Sequence, residues 1–361
     1  MSIENCKNLL YKISAVLLGA TLVLLAVAAA RGPLSRPHAV SAAAPPQPFL
    51  PSLGSLVRAV HSLHANAVVR HVRAVRRRHD PKPRTKSSAT ISLYERTTKQ
   101  SVFRAQGCRA AQRGAAGVVV LDFGKPAYNG HTYGTILFSG AFAANRDITR
   151  AMLGYAVGYD RCLSQGSRDQ IALARGTSNY HPSVPSVYHA GRKWARETMA
   201  LQHMLRAHEL DDHVTSAAAD DVEPAWDPSF WRTRDFYRGY ADSRVGHALY
   251  NYGSLDGGIV SGYWNVHQAF FVTGGMRYAR AIPEIYNRTM AQEWAALAQA
   301  AKHRYHRPVR FAGVMTEHTS SNHGVKPKDA HRMLVRELAV QSRGHVAAAR
   351  VPAAYTNITS N

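Results

Sequence analysis

The chain has 361 residues and carries 45 Lys and Arg against 23 Asp and Glu, a formal net charge of +22. Half of that excess lies in residues 31–100, where thirteen basic residues meet only Asp80 and Glu95. Charge placed in this way bears on partners and solubility rather than on fold.

Lys7 and Lys12 precede an apolar run over residues 13–30, with small residues at Ala26-Val27-Ala28. That is the make-up of a signal peptide, and the run is also about long enough to span a bilayer uncleaved. Residues 1–30 are therefore expected to be a signal peptide or membrane anchor. The protein is then secreted, or held on the outer face of the cytoplasmic membrane. There the available polyanions are lipid headgroups and acidic envelope polymers, so nucleic acid is not an expected partner. Residues 31–104 read as a basic, Pro- and Ala-rich linker. Within it, Leu56, Val57, Val60, Leu63, Val68, Val69, Val72 and Val75 form the apolar set of a helix over 53–79, followed by Arg76-Arg77-Arg78. Residues 53–86 suit an anionic envelope or membrane surface, with a solvated arm as the alternative.

From residue 105 to 345 short apolar runs alternate with longer helical ones. Strands are expected over 117–122, 170–177, from Val214, over 247–252, 278–282 and 309–315, with a further possible strand over 269–273. Helices are expected over 145–163, capped by Asn145 or Asp147, then over 185–210 with Pro185 in the first turn. Further helices are expected over 229–241, 289–303 and 328–343. Strand followed by helix, repeated, predicts an α/β fold, a parallel (β/α) barrel of TIM type. Six or seven of its strands are legible. Cys108 and Cys162 lie inside this region, and an exported chain favours one disulfide between them over two buried thiols. Residues 346–361 read as a flexible tail.

Acids gather where strands should end. Asp122 closes the 117–122 strand, Asp220, Asp221 and Glu223 the next but one, and Asp256 follows the 247–252 strand. Glu284 with Tyr286 follows 278–282, and Glu317 follows 309–315. In a βα barrel all these ends meet at one face, where the chemistry of such folds resides. Along an extended strand Asp221 and Glu223 project to the same side, roughly 7 Å apart. Two carboxyls so placed, one protonated and one not, are the working parts of glycoside hydrolysis. A solvated acidic loop is the plainer reading. Trp226, Tyr252 and Tyr286 accompany the acids, with Tyr128, Tyr133, Tyr180 and Trp264 also in or beside these loops. They offer apolar faces for sugar rings or simply pack. Lys125 lies beside Asp122, where it is expected to hold that acid ionised or to pair with it. The His residues, including His303, His306, His318 and His323, fit no zinc spacing. No nucleophile elbow, phosphate loop or dinucleotide fingerprint occurs. No metal and no cofactor are expected.

The segments Val118-Val-Val-Leu-Asp-Phe-Gly-Lys-Pro126, Ala218-Ala-Asp-Asp-Val-Glu-Pro-Ala-Trp-Asp227, Leu249-Tyr-Asn-Tyr-Gly-Ser254 and Pro283-Glu-Ile-Tyr286 resemble exported bacterial glycoside-hydrolase-like TIM barrels. Asp122 and the Asp-Val-Glu strand resemble those of family-25 lysozymes, over about residues 108–320. The resemblance implies Glu223 as general acid, Asp221 as its partner toward an N-acetyl group, and Asp122 in support at the barrel mouth. The family's usual residues after the first Asp are replaced by Phe123-Gly-Lys-Pro126. By their place at strand ends and in the adjoining loops, Asp220, Trp226, Tyr252, Asp256, Glu284, Tyr286 and Glu317 are candidate substrate contacts. The implied function is cleavage of a cell-envelope or extracellular polysaccharide such as peptidoglycan. Two alternatives are a carbohydrate-binding barrel without turnover and a structural envelope protein working through its basic arm.

Overall fold

The computed structural model describes residues 88–181, 184–320, 324–342 and 349–360. The expected signal or anchor segment, the helix over 53–79 and most of the linker lie outside these residues. The described chain starts with a strand, β1 (Ser88–Tyr94), and a helix, α1 (Gln100–Gln112). Strand β2 (Gly117–Asp122) leads into a small antiparallel sheet of β3 (Lys125–Tyr128), β4 (Tyr133–Ile136) and β5 (Phe142–Ala144). Helix α2 (Asn145–Cys162), strand β6 (Ile171–Ser178), helix α3 (Val187–Ala207) and strand β7 (Val214–Asp221) follow in strict alternation. After a 3₁₀ turn, Pro224–Trp226, come α4 (Trp231–Asp242) and β8 (Leu249–Asn251). Two short helices, α5 (Gly258–Ser261) and α6 (Val266–Phe270), precede β9 (Ala279–Ala281). The chain then runs through α7 (Arg288–Tyr305), β10 (Val314–Thr316), α8 (Pro327–Gln341) and β11 (Ala354–Ser360).

Eight strands form one sheet in the order β10-β11-β1-β2-β6-β7-β8-β9, and every pairing in it is parallel. Its two ends meet through single bridges, Ala281 to Phe311 and Glu284 to Met315. There the Met315 amide donates to the Pro283 carbonyl and the Ile285 amide to the Met315 carbonyl, both at 2.9 Å. The sheet is thus a nearly closed, TIM-like parallel barrel with helices outside it. Both faces of each strand are covered, as parallel strands require. Val120, Ala174, Ala217, Ala219, Tyr250, Ile282, Met315 and Ile358 fill the inside. Val119, Leu121, Leu173, Ala218 and Leu249, one residue out of phase, pack with the helices.

Two boundaries differ from expectation. The polar stretch assigned to the linker up to residue 104 contains β1 and the start of α1, and the tail expected over 346–361 contains β11. Both strands read as polar because hydroxyls point into the barrel. The Ser92 hydroxyl lies 2.8 Å from that of Thr356, and it accepts the Val120 amide at 2.9 Å. Two satisfied hydroxyls inside an apolar barrel leave no hydrophobic alternation to see. The possible strand over 269–273 is helical instead, α6 running into a π-turn at Phe271–Gly275. A short aromatic and β-branched run does not distinguish strand from buried helix. The deciding signal is Asn265, which caps α6 in a reciprocal box with Gln268. Helix α2 takes Ala144 as its N-cap without a side-chain bond, so neither Asn145 nor Asp147 caps it. Helix α3 begins after Pro185, with the Ser186 hydroxyl accepting the His189 amide.

Cys108 and Cys162 form the expected disulfide. It ties α1 to the C-terminal end of α2, where the two helices come together backbone to backbone. A side chain at Gly107 would meet the Tyr155 carbonyl oxygen at 2.0 Å, and one at Gly158 the Arg104 carbonyl oxygen at 2.0 Å. Replacing both cysteines by Ser releases a cross-link spanning 54 residues, with an expected loss of about 2–4 kcal/mol. Urea unfolding of the oxidised protein and the double variant measures this, and coincident curves would contradict it.

Candidate functional site

The two-residue alternation of each strand carries the inward phase up to the C-terminal rim. Val120 is followed in phase by Asp122, Ala219 by Asp221 and then Glu223, Ile282 by Glu284, and Met315 by Glu317. Ser92 is followed by Tyr94 and Tyr250 by Tyr252. Their mutual electrostatics show that these groups converge. Burial pushes the Asp221 carboxyl well above the ordinary carboxylate range, and the charges of Glu284, Glu223, Asp122 and Asp220 push it further. The Tyr94 hydroxyl is raised by burial and then by Glu284, Asp221, Glu317 and Asp122. Glu284 is raised to about 8, first by burial, against a bond from Tyr286, with Glu223, Glu317 and Asp256 adding to the rise. Asp122 is raised to about 6 by burial, opposed by bonds from Gly124 and Tyr252.

Each acid is held differently. The Asp122 Oδ1 accepts the Gly124 amide at 2.8 Å, and its carboxylate also bonds the Tyr252 hydroxyl. That hydroxyl lies 3.0 Å from the Thr177 carbonyl oxygen. Gly176 makes the arrangement possible, since a Cβ there would sit 2.9 Å from the Asp122 Cα and 3.0 Å from the Tyr252 hydroxyl. The Tyr286 hydroxyl donates to Glu284 Oε1 at 2.5 Å. The backbone of Glu223 is clasped by Asn179, whose Oδ1 accepts its amide at 3.1 Å and whose Nδ2 donates to its carbonyl at 3.0 Å. The side chain of Glu223 stays half-buried at the rim.

Of the residues expected at the site, Asp122, Asp221, Glu223, Glu284, Tyr286 and Glu317 come together at the mouth. Three others do different work. Asp220 shares its phase with Ala218, on the helix side of β7, and is completely buried. Its carboxyl oxygens have no hydrogen-bond partner among the described residues. Burial, then the Asp122 charge, raises it well above the usual range, and it raises the buried Tyr237 hydroxyl in turn. Adjacent residues on a strand face opposite ways, so Asp220 cannot share the mouth with Asp221. Tyr252, expected to contact a sugar, is only 1 % exposed and instead positions Asp122. Asp256 ties two loops together, its Oδ2 accepting the Ala225 amide at 2.8 Å and its Oδ1 the Ser254 hydroxyl at 2.6 Å.

Lys125 also departs from expectation. It does not figure among the groups acting on Asp122, and its ammonium lies 5.6 Å from the centre of the Tyr180 ring. Trp226 is half-buried beside the same ring, with centroids 6.4 Å apart. Sequence reasoning missed Tyr94 and Asn179. Tyr94 was hidden with the rest of β1, and its ring meets the exposed Phe138 at 4.9 Å. Asn179 immediately follows β6, a strand-end polar residue of the same kind as the acids, and that position was its signal. Among the described residues no group of three or more His, Cys, Asp or Glu is arranged to hold a metal ion. A hollow of about 500 Å³ lies elsewhere, between α1 and the outer side of β1, lined by Ile91, Leu93, Gln106, Arg109, Arg113 and Tyr155 among others.

Comparisons with protein-family models, with curated proteins and with solved structures find no match to this chain.

Glu284 links the site to stability. Its native value of about 8 stands above the ordinary 4.5, so between these values the native state holds a proton that the unfolded chain has released. Its contribution is therefore full below pH 4.5 and is lost as pH rises through about 8. Glu284→Gln removes the titration. Between pH 5 and pH 8 the variant is expected to lose less stability than the wild type, read from urea midpoints at the two pH values. Equal losses would refute this account of Glu284.

Proposed function

We propose that the barrel mouth acts on a polysaccharide, by acid-assisted cleavage of a glycosidic bond. The observation that carries this reading is the convergence of Asp122, Asp221, Glu223 and Glu284, with Asp221 under the charge of the other three. Carboxyls crowded in this way cannot all ionise at once, so the group keeps a proton near neutral pH while the rest remain available as anions. Glycoside hydrolysis needs this division between a proton donor and a charge stabiliser.

In this reading Glu223 is the donor, since it stands at the rim within reach of a polymer while Glu284 is 5 % exposed and held by Tyr286. Its proton goes to the departing glycosidic oxygen as that bond breaks. Asp221, below it, stabilises the positive charge that develops on the sugar, directly or through an N-acetyl group of the substrate. Asp122, fixed by Gly124 and Tyr252, supports the floor of the mouth. Export belongs to the same proposal. It draws on Lys7, Lys12 and the apolar run over 13–30, and on the Cys108–Cys162 bridge, which suits an oxidising compartment. Among the described residues no helix is long and apolar enough to cross a membrane. Residues 53–86 would add attraction to an anionic envelope surface.

A glycan-binding barrel without turnover is the second reading. It is favoured by Asp122 and Asp256, which spend hydrogen-bonding capacity on their own loops. One experiment separates the two. Wild type and Glu223→Gln are incubated with peptidoglycan and envelope polysaccharides, and released reducing ends are counted alongside pull-down. A hydrolase is expected to lose about 10²–10⁴-fold in rate with binding kept. Its rate should also fall as pH rises and the donor ionises. Binding by both proteins with no release from either would establish the binding barrel and end the catalytic reading.

A further inference from the structure

We infer that Tyr180, Trp226 and Lys125 form a subsite for a sugar ring bearing a carboxylate, next to Glu223, so that the mouth selects acidic over neutral glycans. The inference rests on the reading of the mouth as a glycan site and names the substrate class of that site. Three separate barrel connections supply the three residues. Lys125 opens β3, Tyr180 lies two residues after β6, and Trp226 ends the 3₁₀ turn after β7.

The platform is built as one piece with Glu223. Tyr180 adjoins Asn179, whose side chain clasps the Glu223 backbone from both sides. Trp226 is three residues beyond Glu223, and the turn between them is pinned by Asp256 on the Ala225 amide. The two rings meet edge to face, with an interplanar angle of 61°. They thus form a corner, with one ring as floor and the other as wall. Both are half-buried, so each keeps an open portion. Aromatic faces of this kind take the apolar C–H face of a pyranose, whatever its substituents.

Lys125 adds the discrimination. Its side chain is exposed, its ammonium stands over the Tyr180 ring, and it makes no salt bridge among the described residues. A ring stacked on Tyr180 meets that ammonium at its edge. A neutral substituent gains a hydrogen bond there, whereas a carboxylate gains a charge-assisted one, roughly twice as strong. The long-range field agrees. The chain after residue 87 has 32 Lys and Arg against 21 Asp and Glu, although the mouth itself is acidic. A polyanion is therefore drawn to the surface while its uncharged counterpart is not. At the mouth, Glu284, raised to about 8 chiefly by burial, keeps its proton near neutral pH, which eases the approach of an acidic ring.

A ring-borne carboxylate has two sources, the C5 carboxyl of a hexuronate and the lactyl ether of a muramyl sugar. The test uses the full chain and three oligomers of equal length: oligogalacturonate, its carboxyl-reduced neutral counterpart, and a muramyl oligomer. Binding is followed by tryptophan fluorescence and calorimetry. Oligogalacturonate or the muramyl oligomer is expected to bind about tenfold more tightly than the neutral oligomer, and whichever does so identifies the source. Lys125→Gln should erase that preference by bringing the affinity for the acidic oligomer down to that for the neutral one, while Lys125→Arg should restore it. Trp226→Ala should weaken all three oligomers. Equal affinities in the wild type, or a Lys125→Gln variant with its preference intact, would overturn the inference and leave the glycan site standing. No binding of any oligomer by the wild type would overturn the glycan reading together with it.

Discussion

Parallel pairing is the constraint from which the rest follows. Because all eight strands run the same way, their C-terminal ends reach one rim, and every side chain in phase with the barrel interior arrives at the same mouth. Alternation then does the sorting. Asp221 and Glu223 face the mouth with Asp122 and Glu284, while Asp220, one residue away, is buried against the helices with Tyr237 as its neighbour. Crowding carboxyls in a desolvated space has a single electrostatic consequence, which is that protons stay on. The mouth is therefore less negative than its composition suggests.

The outer layer needs comparable care because it too contains charge. Arg175 is fully buried on the helix side of β6, and burial pulls it down to about 10 against the opposing pull of Glu197. It stacks 4.0 Å over Trp194 and donates to Thr149 and to the Asn145 carbonyl. Thr149 in turn donates to Glu197 at 2.6 Å. The network binds β6 to α2 and α3 behind the strand whose end carries Asn179. Rigid support beneath the rim keeps strand-end groups in place without any contact to them.

Much of the fold was legible. The runs at β2, β6 and β7 are apolar and bounded, and the strand–helix rhythm from β2 to α8 follows directly from them. The first and last strands of the described residues, β1 and β11, were not legible, because Ser92 and Thr356 satisfy one another inside the barrel across 264 residues of sequence. A hydroxyl with such a partner is indistinguishable in sequence from one in a linker. The site was legible to the extent that period two governs it. Asp122, Asp221, Glu223, Glu284, Tyr286 and Glu317 were found by their place at strand ends. Tyr252, Asp256 and Lys125 were assigned by proximity in sequence, and their actual partners, Asp122 for the first, the Ala225 amide for the second and the Tyr180 ring for the third, lie on other loops.

The sequence by itself determined what is local: the strand–helix order, the inward phase of each strand, and the placing of acids where strands stop. These depend on backbone periodicity and on neighbours a few residues away. Only the tertiary structure decided that the chain nearly closes into a barrel through β1 and β11, and that Lys125, Tyr180 and Trp226 meet from three separate connections. It also decided the protonation of the mouth, since burial and the charge of distant residues act through space and leave no trace in the order of the residues.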